Sequence, residues 1–305
     1  MSRTVTVAAP AKINLSLGVG PRRDDGFHSL ATVYQAIGLY DEVSVEAADE
    51  VSVEVRAHDR LSAADVPTDS RNIAVAAARL LAEHHGVERG VRIVVHKQIP
   101  VAGGMAGGSA DAAATLLACD RLWDLGSTRD ELAGLAARLG SDVPFALVGG
   151  TAIGSGRGEV VTPLMTLGSY WWVVLESPLG LSTPAVYAEF DAMHEGTEVG
   201  APEIPDALLQ ALRGHDVADL GAALSNDLQP AALRLRPELQ EALAAGLAHS
   251  AHGAVVSGSG PSCLFLCEGR SEAVQVAGGL SGSGFGPVSF APGPVHGARV
   301  VAGEA

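Results

Sequence analysis

From residue 5 the chain alternates. Val5 and Val7 open a strand, and after Pro10 the apolar positions Ile13, Leu15, Leu17 and Val19 interleave with Lys12, Asn14, Ser16 and Gly18. A strand repeats every two residues, so Lys12 and Asn14 are expected together on the face turned away from the core. Val43 and Val45, then Val51, Val53 and Val55, alternate with acids and serines around an Ala-Ala-Asp-Glu turn, which predicts an antiparallel hairpin. A helical period takes over from Asn72 to His85, with Ile73, Ala77, Leu80 and His84 on one stripe and Gly86 as terminator. Val91, Ile93 and Val95 return to strand spacing and lead into Lys97.

From Ser109 the stripe Ala112, Leu116, Cys119 and Trp123 predicts a second helix. A third starts at Ser127 or Thr128, where Asp130 and Glu131 offer capping-box partners, carries Leu132, Leu135 and Leu139 inward and stops at Gly140. The glycine-rich stretch 149–158 and the segment 160–168 lead into a second unit, with the boundary expected near residue 163, giving units of 1–163 and 164–305. Beyond it the pattern gives the strand Tyr170 to Leu175, helices between Thr183 and His249, strands over 254–256 and 263–267, and a last helix and strands. Strands and helices mixed in both halves predict an α+β fold. No internal repeat is visible.

Composition narrows the function. With 305 residues, 47% hydrophobic and 18% charged, the chain is long and apolar enough to bury its own cores. A net charge of −15 repels phosphate backbones and anionic lipid, so nucleic acid and membrane surfaces are excluded as partners. Small anions need only local positive potential, which Arg3, Lys12, Arg22 and Arg23 supply near the start against Asp24 and Asp25. Three cysteines, an odd number, argue against a disulfide framework and for a reducing, cytoplasmic setting. No apolar run approaches the ~18 residues of a membrane span, and Lys12 and Asn14 interrupt any signal-peptide core. Cys263 and Cys267, with His249 and His252 upstream, match no familiar zinc spacing and read as buried strand residues. All basic residues are arginine except Lys12 and Lys97, which marks each lysine as a place where a compact ammonium is wanted.

Five stretches carry candidate chemistry. Gln98 to Ala110 sets four glycines between a strand and a helix, where backbone N–H groups and the helix dipole favour a phosphate. It is neither the dinucleotide fingerprint nor the Walker loop, since Ser109 follows Gly108 directly. Asp142 stands just past a helix end in Gly-Ser-Asp-Val-Pro-Phe, and Lys12 stands in Pro-Ala-Lys-Ile-Asn-Leu. Phe27 and His28 close a polar loop that begins at Arg22, and Ser257 to Ser262 form a second glycine turn between strands. Singly, each has a plain structural explanation as a turn, a cap or a solvated residue.

Together, in order and spacing, the stretches around Lys12, Pro100–Ala110 and Ser257–Ser262 resemble the three motifs of the GHMP kinases. Arg-Asp-Asp-Gly-Phe27-His28-Ser-Leu, Leu139-Gly-Ser-Asp142-Val-Pro, Thr183-Pro184 with Tyr187, and Asn226-Asp-Leu resemble the branch that phosphorylates the 2-hydroxyl of a cytidine-diphosphate methylerythritol in the non-mevalonate isoprenoid pathway. The likeness spans about residues 5–267. It implies an N-terminal domain of the ribosomal-protein-S5 type, a ferredoxin-like C-terminal domain, and a cleft that takes ATP, Mg²⁺ with it, and the cytidine-diphosphate substrate. It implies Lys12 and Asp142 as the catalytic pair. The ATP phosphates would lie against Pro100, Val101, Ala102, Gly103, Gly104, Met105, Ala106, Gly107, Gly108, Ser109 and Ala110. Phe27 and Tyr187 would flank the cytosine, His28 would bond its edge, and Asn14 and Pro184 would complete the substrate side.

Lys97, immediately before the loop, is expected to contact the nucleotide. No protein ligand for Mg²⁺ is assigned. Asp111 is a candidate, and a helix-start Asp favoured by the dipole is the alternative. The sequence departs from the family at Phe27, where Tyr is usual, and at Ala102 in the loop. Two other readings stay open: a relative acting on mevalonate, homoserine or a sugar, which needs no aromatic clamp, and a nucleotide-binding relative without catalysis.

Overall fold

A computed structural model describes residues 3–58, 66–101, 103–177 and 179–303. The chain runs β1 (Thr4–Arg22), β2 (His28–Ala48), β3 (Ser52–Ala57), α1 (Ile73–His85), β4 (Gly90–Lys97), α2 (Gly107–Trp123), α3 (Arg129–Leu139), α4 (Val143–Val148), β5 (Thr151–Gly156) and β6 (Val160–Pro163). It continues through β7 (Tyr170–Leu175), α5 (Thr183–Met193), α6 (Asp206–Arg213), α7 (Val217–Ala223), β8 (Ser225–Asn226), α8 (Gln229–Leu235), α9 (Glu238–Ala248), β9 (Gly253–Val256), β10 (Cys263–Cys267), α10 (Arg270–Ser281), β11 (Val288–Gly293) and β12 (Arg299–Gly303).

The opening alternation is one long strand. Its pairing with β2 slips at Pro10/Ala11 and again at Asn14/Ser16. Such bulges bend a strand and re-aim its side chains, and here they bracket Lys12 and Asn14. The core side of β1 buries Val5, Val7, Ile13 and Leu15, with α2 packed across it. Helix α1 is capped at Asn72, whose side chain accepts the Ala74 N–H at 2.8 Å, and closed by Gly86 at φ 66°. Its buried stripe is Ala74, Val75, Ala77, Ala78 and Leu81, one position on from the predicted stripe. Helix α3 carries the expected capping box between Thr128 and Glu131.

The predicted hairpin over 43–55 does not form. Strand β4 lies between β2 and β3, antiparallel to the first and parallel to the second. Alternation alone reports a half-buried strand and not its partner. The crossover through α1 brings the more apolar β4, with Val91, Ile93 and Val95 buried, to the inner place and leaves Ser52 and Arg56 of β3 exposed at the edge.

The second sheet has the order β11-β7-β10-β9, all antiparallel, from a βαββαβ chain path. That path and order are ferredoxin-like. Strand β7 is apolar on both faces because both are covered. Trp172 and Val174 join the first sheet's core, and Val173 and Leu175 join a separate core under α5 and α8–α10. The expected boundary at residue 163 falls between β6 and β7, yet β8 and β12 cross back to pair with β1. A buried polar chain also crosses: Trp172 Nε1 donates to Gln35 Oε1 at 2.8 Å and Gln35 Nε2 to Thr151 Oγ1 at 3.1 Å. Both halves mix helix and sheet, and the fold is α+β.

Asn226 anchors the return. Its Nδ2 donates to the Val256 and Gly258 carbonyls at 2.8 and 2.7 Å, and its Oδ1 accepts the Leu228 N–H at 2.9 Å. Removing it orphans buried backbone groups, each worth about 1–3 kcal/mol. Asn226→Ala is therefore expected to lower stability by about 2–4 kcal/mol, seen as a lower urea midpoint at unchanged slope.

Candidate functional site

The two glycine turns meet. Gly104 sits at φ 73°, and a side chain there would run into the Ser257 carbonyl. Ser257 Oγ in turn donates to the Gly104 carbonyl at 3.1 Å. From the other side the Lys12 N–H donates to the Met105 carbonyl at 3.1 Å. The loop is thus held between β1 and the turn after β9, and Ala106, at φ 57°, hands it to α2. The first-turn amides of a helix have no intrahelical partner, and Gly107 and Gly108, which open α2, line a cavity.

That cavity has a volume of about 680 Å³, within the range of small-molecule sites. Lys12 and Asp142 both line it, with Nζ and Oδ2 3.3 Å apart. Lys12 Nζ also donates to Asn14 Oδ1 at 3.0 Å, Asn14 Nδ2 to Thr32 Oγ1 at 2.8 Å, and Thr32 Oγ1 to the Ser16 carbonyl at 2.6 Å. This buried relay orients the ammonium, which lies 5.3 Å from the Tyr34 ring centre. Asp142 occupies the junction of α3 and α4 without capping either through its side chain, which leaves its carboxylate to face Lys12. Burial, with the Asp142 charge second, pushes the Tyr34 phenol well above its usual range. The same two causes push Tyr187 up to about 12. Both phenols therefore stay protonated beside the carboxylate.

The far end of the cavity is aromatic. Tyr187 stacks on His28 with ring centres 5.1 Å apart, and Pro184 lies one turn earlier on the same face of α5. His28 Nδ1 is 2.9 Å from the Gly20 carbonyl, which can only accept, so that nitrogen carries a proton. Its Nε2 lies 3.3 Å from Asp191. Phe27, 53% exposed, has the Arg157 guanidinium 4.9 Å from its ring centre. Arg22 and Arg157 both line this end and give it positive potential in an acidic protein.

Of the residues singled out in the sequence, Lys12, Asn14, Phe27, His28, Pro100, Gly103, Gly104, Ala106, Gly107, Gly108, Asp142, Pro184 and Tyr187 line this one cavity. Met105 and Ala110 turn into the core instead. Val101 and Ser109 are half-buried off the lining, and Ala102 lies outside the described residues.

Lys97 is placed differently from the expected nucleotide contact. Its ammonium is buried, paired with Asp41 and, at 2.8 Å, with Asp111, and it does not line the cavity. The candidacy of Asp111 as a Mg²⁺ ligand ends for the same reason: its side chain is 5% exposed and engaged by Lys97. Among the described residues no group of three or more His, Cys, Asp or Glu is placed to hold a metal, and Cys119, Cys263 and Cys267 are buried free thiols.

Sequence reasoning passed over Thr32, Tyr34, Arg157 and Asp191. A signal existed for two of them. His28, Leu30, Thr32 and Tyr34 share one face of β2 by strict alternation, and that face looks into the cavity and at Asn14.

Comparison with known proteins identifies the family. Residues 72–150 match the GHMP kinases N terminal domain and residues 208–280 the GHMP kinases C terminal domain. A 4-diphosphocytidyl-2-C-methyl-D-erythritol kinase from a Nocardioides species is 55% identical over 293 residues, covering 96% of this chain and 98% of that one. The protein of the same description from Mycolicibacterium gilvum is 51% identical, covering 98% and 93%. A crystal structure of 4-(cytidine 5'-diphospho)-2C-methyl-D-erythritol kinase superposes with a TM-score of 0.76 at 35% identity, over 95% of this chain and 99% of that one. By its two matched domains, and by relatives this similar over nearly its full length, the chain belongs to the GHMP kinase family.

Proposed function

We propose that this ATP-dependent kinase transfers the γ-phosphoryl group to the 2-hydroxyl of 4-diphosphocytidyl-2-C-methyl-D-erythritol. The observation that carries the reading is the Lys12–Asp142 pair, 3.3 Å apart in a cavity walled on one side by the glycine loop and on the other by His28 and Tyr187. The identity of the relatives supports the same substrate.

Phosphoryl transfer passes through a loose transition state, so positioning and charge stabilisation supply most of the rate. The amides of Gly107 and Gly108 take the phosphates. Lys12, fixed by Asn14, sits between the carboxylate and the transferring group. Asp142 orients the acceptor hydroxyl and takes its proton. Tyr34 and Tyr187, protonated and beside Asp142, keep that end of the cavity free of further negative charge.

Mg²⁺ would arrive with the phosphates, which would supply part of its oxygen ligands. Once bound, it offsets charge on the phosphate oxygens. Phe27 offers the base a stacking face without the hydroxyl usual at that position. Asp191, beside His28 Nε2, offers an acceptor to an amino-bearing edge, as cytosine has. Arg22 and Arg157 face the diphosphate. Buried thiols and the use of ATP fit a cytoplasmic setting, and no helix among the described residues is long and apolar enough to cross a membrane.

In a coupled assay, ADP is expected only when the cytidine-diphosphate substrate is added. ADP formed equally with mevalonate or homoserine overturns the substrate assignment. Asp142→Asn is expected to lower kcat by roughly 10²- to 10⁴-fold while leaving the Michaelis constant for ATP within about twofold. Tyr187→Ala is expected to raise the Michaelis constant for the cytidyl substrate about tenfold, the scale of losing one stacked base, with that for ATP unmoved.

A further inference from the structure

Beneath the phosphate loop lies a charge cluster that the mechanism above does not use. Lys97 ends β4, Asp41 sits in mid β2 and Asp111 is in the second turn of α2. Their side chains are 3%, 0% and 5% exposed. The ammonium donates to Asp41 Oδ2 and, at 2.8 Å, to Asp111 Oδ2. Asp41 Oδ1 accepts the backbone N–H groups of Gln98 and Ile99 at 2.6 and 2.9 Å. Those two residues begin the loop, and the helix bearing Asp111 ends it. The ammonium also lies directly under the start of α2, 3.2 Å from where a side-chain carbon on Gly107 would be.

Three elements and both ends of the loop are therefore joined through one nitrogen. The charges do not balance if both acids are ionised, since two carboxylates share one ammonium in a dry site where an unpaired charge is costly. The geometry tells them apart. Three donated hydrogen bonds mark Asp41 as the anion: two amides and the ammonium converge on it, whereas Asp111 Oδ1 is buried with no partner.

We propose that Lys97, Asp41 and Asp111 are positioning residues that fix the phosphate loop for ATP, with Asp41 as the anionic anchor and Asp111 as a neutral hydrogen-bonding partner. Burial, and then the Asp41 charge, raise Asp111 well above the usual carboxylate range, in keeping with its neutral role. Burial alone would lower Lys97, but Asp111 and Asp41 overcome it and raise the group, which stays an ammonium. Because Asp111 is neutral, its amide isostere should serve in its place: an Asn can accept from Lys97 through Oδ1 and donate to Asp41 through Nδ2.

The inference rests on the loop being the ATP site, and the test separates the two. The full-length protein is assayed with ATP and the cytidyl substrate varied in turn. Lys97→Met and Asp41→Asn are expected to raise the Michaelis constant for ATP by about 10- to 100-fold, the scale of a misplaced binding group, with kcat and the other Michaelis constant within about threefold. Asp111→Ala is expected to do the same, and Asp111→Asn to restore the ATP constant to within about threefold of the parent.

Asp111→Asn as damaging as Asp111→Ala overturns the neutral role. Equal losses for both substrates, or none for either, overturn the positioning role. If Lys97→Met or Asp41→Asn does not fold, the Asn and Ala pair at Asp111 decides alone. Gly108→Asp, exposed on the cavity wall with no atom closer than 3.8 Å to an added carbon, tests the underlying reading. If it leaves ATP binding unmoved, the loop is not the ATP site. If it weakens ATP while the cluster variants do not, only the cluster's role fails.

Discussion

Backbone amides bind an anion well only when the backbone that carries them is held from behind, because a free loop would lose its shape at each encounter. Here the holding contact is the one between the two glycine turns. Gly104 lies against the Ser257 carbonyl and Ser257 Oγ returns a hydrogen bond. The glycine loop early in the chain and the glycine turn more than 150 residues later become one wall. Asn226 pins the later turn to β1 through Val256 and Gly258. Lys12 is fixed to the earlier one through the Met105 carbonyl. The cavity exists because two segments come closer than side chains would permit.

Charge follows the same economy. An acidic protein that must admit ATP and a diphosphate needs positive potential in a few places, and the molecule uses each cation in one way. Lys12 faces the cavity beside Asp142, and Lys97 lies buried between Asp41 and Asp111. Arg22 and Arg157 stand at the aromatic end. Surface ion pairs such as Arg71–Asp69, both exposed, add little. Buried pairs have definite tasks because each must satisfy its donors or be costly.

Much of the site was legible from residue order. The alternation around Ile13 placed Lys12 and Asn14 on one face, the glycines between strand and helix marked the loop, and Ser127 or Thr128 with Asp130 and Glu131 marked the start of α3, which is capped at Thr128. What the pattern could not reveal was partnership across the chain. Val51, Val53 and Val55 look like the second arm of a hairpin, but a strand 40 residues on takes the inner position. Asp41 reads as a polar residue in a strand and Asp111 as a helix-start acid. Only their convergence on Lys97, 56 and 14 residues away in sequence, reveals a joint role. Period reports which way a residue faces, and long-range packing decides what it meets.

Both lysines are withdrawn from solvent, their side chains 7% and 3% exposed, and every other basic side chain is a guanidinium. Reagents that acylate amines therefore find no readily accessible side-chain target on the folded molecule. Lys12, at the cavity wall, is the one such a reagent could reach by entering the site. Unfolding releases two side-chain amines per chain, so amine chemistry becomes a count of open molecules.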